Sequence, residues 1–304
     1  MTIAECIQQT ARKLDEAQLC FGHGTDNPLD EAAWLVLQVC GKPLDGSFCD
    51  WGDAVGAAEK EQINRLLSER CETRRPLAYL LGSAWFAGLE FEVNEHVLVP
   101  RSPLAELILD RFLPWVDPDR AGRVLDMCTG SGCIAIASAI SLPGAWVDAA
   151  DISEPALEVA RRNVERHGLG ERVKLISSDL FQSVPAQRYD LILANPPYVP
   201  AHSMTGLPAE YRAEPGLGLA SGDDGLDAVL SILLDAPGYL RDDGVLICEV
   251  GESEERLAAA LPQIPFLWLE FEHGGSGVFV LTREQLQSAG QEVAGLIRKR
   301  ENVV

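Results

Sequence analysis

The chain has 304 residues, enough for one large domain or two smaller ones, and its 47% hydrophobic and 23% charged fractions are those of a globular protein. Its formal net charge of −21 repels phosphate backbones and favours a basic partner, so direct nucleic-acid readout is not expected. No apolar run approaches the roughly 20 residues of a membrane span, the first residues are not expected to act as a signal peptide because no basic stretch leads into an apolar core, and the eight cysteines form no C-x-x-C pair. A membrane role and a zinc or iron–sulfur site therefore lack support, and a cytoplasmic protein with reduced thiols is expected.

Residues 1–84 read as a helical domain. Thr2 and Glu5 form a Thr-x-x-Glu capping box ahead of apolar residues at helical spacing through Leu19. Asp30 to Cys40 reads as a second helix stopped at Gly41, and Ala57 to Thr73 as a third. Between the first two, Phe21-Gly22-His23-Gly24-Thr25 places a histidine between glycines, where a structural role is expected. Residues 85–119 read as a β-hairpin and linker. The hairpin strands are expected at Trp85 to Val93 and Val97 to Arg101, and Pro100-Arg101-Ser102-Pro103 leads into a helix from Leu104.

From residue 120 to 283 strands alternate with helices. Strands are expected at Arg123 to Met127, Trp146 to Asp151, Val173 to Ile176, Tyr189 to Ala194 and Gly244 to Val250. The last two, Phe266 to Glu272 and Gly277 to Thr282, are separated by too few residues for a helical crossover and must run antiparallel. An α/β fold follows, with a mostly parallel, Rossmann-like sheet ending in an antiparallel hairpin. Residues 284–304, ending in Arg298-Lys299-Arg300 before Glu301, read as a C-terminal tail in a frayed helix.

The chemistry concentrates at strand ends. Asn195-Pro196-Pro197-Tyr198 follows the fourth strand of the alternating region, and its prolines end the ladder in stiff, extended backbone. There the Asn195 side-chain carbonyl and the Pro196 backbone carbonyl are two acceptors suited to a planar NH2 group, and Tyr198 adds an aromatic face. The first strand ends in Asp126 and the turn Thr129-Gly130-Ser131-Gly132, which lets a ligand approach the backbone. The third glycine of a dinucleotide fingerprint is replaced by Ala135, and an acidic residue such as Asp126 suits a cationic cofactor. Both points favour S-adenosylmethionine. Asp151 ends the second strand, where a carboxylate can accept ribose hydroxyls, with Asp148 as its rival. Asp179 ends the third, within reach of an adenine amino group, with Leu180 and Phe181 lining the ring. No metal site is expected.

These motifs and the two-part layout resemble the HemK-type protein N5-glutamine methyltransferases, over the chain to about residue 283. The resemblance implies a class I S-adenosylmethionine-dependent methyltransferase in which Asn195, Pro196, Pro197 and Tyr198 grip the substrate amide, with Asn195, Pro196 and Tyr198 carrying catalysis. It also implies cofactor contacts from Arg101, Cys128, Ile152 and Asn195, beside Asp126, Thr129 to Gly132, Asp151, Asp179 and Leu180. Release-factor enzymes of this family usually read Pro-Arg-Pro-Glu/Asp-Thr-Glu after the hairpin. Pro100-Arg101-Ser102-Pro103-Leu104-Ala105-Glu106 and the Phe21 to Thr25 loop instead resemble the branch that methylates ribosomal protein L-three of the large subunit. The expected partner is that basic protein. A release-factor acceptor, an N6-adenine nucleic-acid substrate and a non-enzymatic assembly role are the alternatives.

Overall fold

The computed structural model describes residues 1–302, which cluster into two compact units. The first contains residues 1–95, 99–101 and 207–214, and the second contains 96–98, 102–206 and 215 onward.

In the first unit, α1 (Ile3–Glu16) opens with the expected capping box: Glu5 donates its N–H to the Thr2 hydroxyl and returns a carboxylate to the Thr2 N–H. Ile3, Cys6, Ile7, Thr10 and Leu14 are its buried face. Helix α2 (Pro28–Val39) starts two residues before the expected Asp30, because Asn27 accepts the N–H groups of Leu29 and Asp30 and Pro28 fits the first helical turn. Helix α3 (Ala57–Thr73) has the expected bounds, and a short α4 (Leu77–Leu81) follows. The hairpin is narrower than expected: β1 (Ser83–Phe86) pairs with β2 (Leu89–Glu92) across Ala87-Gly88, both at positive φ, the conformation of a two-residue I′ turn. Residues 97–101 form no strand.

Segment 207–214, distant in sequence, is fastened into this unit by buried charges. Arg70, 1% exposed on α3, donates to Glu31 on α2 at 2.8 Å and lies 3.7 Å from Glu210. Glu210 also accepts Arg74 Nε and the Cys20 N–H, each at 3.0 Å. Each buried charge is paired, as burial away from water requires.

The second unit begins with α5 (Leu104–Leu109) and builds one seven-stranded sheet. Its elements are β3 (Arg123–Met127), α6 (Cys133–Ser141), β4 (Trp146–Asp151), α7 (Glu154–Arg166), β5 (Val173–Ser177), β6 (Tyr189–Ala194), α8 (Asp227–Asp235), β7 (Leu240–Glu249), α9 (Glu254–Ala260), β8 (Leu267–Trp268), β9 (Val278–Thr282) and α10 (Arg283–Glu301). The strand order is β5-β4-β3-β6-β7-β9-β8, parallel through β7, with antiparallel β7–β9 and β9–β8 pairs. The expected antiparallel ending is present, although β8 is two residues long. This is the mostly parallel sheet of a class I methyltransferase.

The expected tail becomes α10. Thr282 caps it through a Thr/Gln285 capping box, and Leu286, Ala289 and Val293 are buried in the core below β7 and α8. Apolar residues at helical spacing are the reason, and the tail reading overlooked them. Arg300 then closes a bidentate pair on Asp224 at 2.5 and 2.8 Å and also pairs with Asp227. Among the described residues, no helix is long and apolar enough to cross a membrane.

Candidate active site

The carboxyl ends of five parallel strands lie side by side. Met127 pairs with Ala150 on one side and Ala194 on the other, Asp151 pairs with Ser177, and Ala194 pairs with Cys248. The Gly-rich turn after β3 is therefore next to Asn195, which follows β6. Sheet order changes direction around β3, where open α/β sheets form their ligand crevice.

Asp126 builds the turn. It is fully buried, and its Oδ2 accepts the Thr129 hydroxyl at 2.5 Å and the Ala135 N–H at 3.0 Å. Its Oδ1 is a buried acceptor without a partner among the described residues, and burial raises its pKa to about 7 against the pull of those two donors. Asp126 is the penultimate residue of β3, and its bonds to Thr129 and Ala135 set it beneath the loop. Gly130 at φ +54 faces open space on its Cβ side, while Gly132 lies against Ala160 of α7. The loop is thus closed underneath and open above.

Asp151, half-buried at the end of β4, accepts the N–H groups of Gly130 at 2.8 Å and Ser153 at 2.9 Å. Burial raises its pKa, and those backbone donors oppose the rise. Ile152 beside it is 51% exposed, an apolar surface next to an acid. The rival Asp148 lies within the strand, where its carboxylate accepts the Tyr189 hydroxyl at 2.8 Å and is bonded by Gln187. Asp179 is exposed after β5 and accepts Gln182 at 2.9 Å. Cys128 and Leu180, which follow β3 and β5, both hold left-handed backbone at φ 62 and φ 45. Such strain in non-glycine residues clusters at ligand sites. An open turn with two accessible acids and an exposed isoleucine at neighbouring strand ends fits S-adenosylmethionine.

After β6, Pro196 is buried and Asn195, Pro197 and Tyr198 are half-buried. Among the described residues, no protein group takes the Asn195 carboxamide or the Pro196 carbonyl. The Tyr198 carbonyl accepts the Ser253 hydroxyl at 2.7 Å, and Val199 exchanges backbone bonds with Leu219 and Ser221 at 2.8 and 3.0 Å. Two glycines let other segments close on this loop. A Cβ on Gly225 would lie 2.2 Å from the Tyr198 carbonyl oxygen, and one on Gly251 would lie 2.7 Å from the Tyr198 ring.

Arg101 has protein partners within the first unit. Its guanidinium is bidentate on Glu214 at 2.6 and 2.7 Å and lies over the Tyr211 ring, within the first unit. The sequence reading missed Glu249, which ends β7 and accepts the Ser102 hydroxyl at 2.5 Å. An acid closing the apolar run Val245 to Cys248 was the available signal.

The ribosomal protein uL3 glutamine methyltransferase of Bordetella pertussis is 46% identical to this chain over 288 residues, covering 94% of the chain and 97% of that protein. Its counterpart in Xanthomonas campestris pv. campestris is 47% identical over 305 residues, covering 98% and 97%. That of Xylella fastidiosa is 47% identical over 304 residues, covering 98% and 96%. The chain belongs to this glutamine methyltransferase family. Residues 5–82 also match the PrmC N-terminal domain, and residues 107–207 match the methyltransferase small domain. As a member of the family the protein is an S-adenosylmethionine-dependent methyltransferase, and the glutamine methyltransferase fold puts its Gly-rich turn and its Asn-Pro-Pro-Tyr loop on adjacent strands.

Proposed function

We propose that the protein methylates the side-chain amide nitrogen of a glutamine in ribosomal protein uL3, with Asn195, Pro196, Pro197 and Tyr198 holding the amide. The observation that carries this reading is the pair of open acceptors, Asn195 and the Pro196 carbonyl, directly beside the Gly-rich turn in sheet register. The relatives named for uL3 support the acceptor, and a charge of −21 suits a basic ribosomal protein in the cytoplasm.

S-adenosylmethionine, when bound, supplies an electrophilic methyl group on a sulfonium. Thr129 to Gly132, Asp151, Ile152, Asp179 and Leu180 hold it along the strand ends, and Asp126 shapes the turn from below. A carboxamide nitrogen is a poor nucleophile because its lone pair is delocalised. Asn195 and Pro196 accept its two N–H bonds, which draws the nitrogen towards tetrahedral geometry and aims its lone pair. They also stabilise the positive charge that develops there as the N–CH3 bond forms and the S–CH3 bond breaks, and loss of one N–H proton to solvent after transfer restores the neutral amide. Tyr198, its carbonyl fixed by Ser253 and its ring against Gly251, borders the amide with an aromatic face.

The test is competition. Purified uL3 and a peptide-release factor, mixed with the enzyme and labelled S-adenosylmethionine, should yield label on uL3 glutamine. Preferential labelling of the release factor overturns the acceptor assignment.

A further inference from the structure

Glu249 ends β7, and the pairing of Cys248 with Ala194 makes it the strand-end neighbour of Asn195. It is 6% exposed, so its carboxylate needs donors. Oε2 takes the Ser102 hydroxyl at 2.5 Å, and Oε1 faces the Tyr198 hydroxyl at 3.5 Å, the outer limit of a hydrogen bond. Ser102 is itself oriented, because its oxygen accepts the Leu104 N–H at 3.2 Å, which directs its proton towards Glu249. Tyr198 is constrained at its backbone by Ser253 and along its ring by Gly251. The Glu249 carboxylate adds a polar contact at the hydroxyl end of the same ring.

We propose that Glu249 is a positioning residue for methyl transfer: held by Ser102, it fixes the Tyr198 hydroxyl and thereby the ring that borders the substrate amide. The proposal rests on the reading of Asn195 to Tyr198 as the amide grip. Loss of the Glu249 contact lets the ring tilt and misplaces the amide nitrogen, which slows transfer without weakening the donor, since the donor's turn is on the other side of β6 from Glu249.

A double-mutant cycle in the full chain tests it, using uL3 and labelled S-adenosylmethionine in single turnover, with donor affinity by calorimetry and folding by Tm. Glu249→Leu and Tyr198→Phe should each lower the transfer rate about tenfold with donor affinity within about twofold, and the double variant should be no slower than the slower single one. Glu249→Gln, which can still accept from Tyr198, should recover most of the rate. Ser102→Ala should cost less, and nothing further in the Tyr198→Phe background; it serves as the probe if Glu249→Leu does not fold. Losses that multiply in the double variants, or a fall in donor affinity matching the fall in rate, overturn the proposal. An unmodified enzyme that does not label uL3 would instead remove the acceptor reading beneath it, so the two failures are distinguishable.

Discussion

Arg101 closes a two-pronged ion pair on Glu214, with distances of 2.6 and 2.7 Å to a carboxylate that has no exposed side-chain surface. His23 Nε2 lies 3.4 Å from the same carboxylate, and Val99 donates its N–H to it at 3.0 Å. The histidine noted between glycines in the sequence is thus part of the pocket that receives Glu214.

This cluster predicts acid sensitivity. Burial opposes ionisation of Glu214, but His23 and the Arg101 guanidinium outweigh it and hold the pKa at about 2. The unfolded value is about 4.3, so the folded state binds this proton more weakly than the unfolded chain. Its contribution is complete above about pH 5 and is lost as pH falls towards 2. Arg101→Met should cost about 3 kcal/mol at neutral pH and shrink that acid-dependent loss. Thermal melts of both proteins from pH 7 to pH 2 check this, and parallel curves would refute it.

Asn195→Ala should leave the fold intact, because the side chain stands beyond the end of β6. It should lower kcat by on the order of a hundredfold, as expected for loss of one preorganised polar group. Asn195→Asp keeps an acceptor but adds a charge, and should tighten donor binding without restoring turnover. Single-turnover methylation beside donor titration separates the two. Near-normal turnover in Asn195→Ala would reduce Asn-Pro-Pro-Tyr to a turn.

Asp151→Ala should weaken S-adenosylmethionine binding by about 2–3 kcal/mol, the scale of hydrogen bonds to a charged group. The loss includes the Gly130 contact that holds the turn as well as any bond to the ribose. Calorimetry that finds unchanged affinity would exclude Asp151 from the donor site.

Gly251→Ala places a methyl group where the Tyr198 ring lies, at a backbone φ of +45. Transfer should fall at least about tenfold as the ring is displaced. Gly144→Ala, whose Cβ would meet nothing within 4 Å, is the control and should keep full activity. Equal activities in the two variants would show that ring packing on Gly251 is dispensable.

Local chemistry made much of this legible from sequence alone. Capping residues, apolar runs and the brevity of residues 273–276 determined α1, α3, the five parallel strands and the antiparallel ending, because each depends on neighbours a few positions away. Asn195 to Tyr198 and the Thr129 to Gly132 turn were readable for the same reason, since prolines and glycines constrain their own backbone. Contacts between distant positions were decided only by tertiary structure. Sheet order brought Glu249 beside Asn195, and segment 207–214 folded against α3, so that Arg101 met Glu214. Burial of Asp126 was likewise a tertiary outcome, because β4 and β6 flank its strand on either side and the turn closes over it. The apolar spacing in α10 was present in the sequence all along. It became interpretable once β7 and α8 supplied the surface that it covers, because a helix of modest amphipathicity is stabilised by what it packs against.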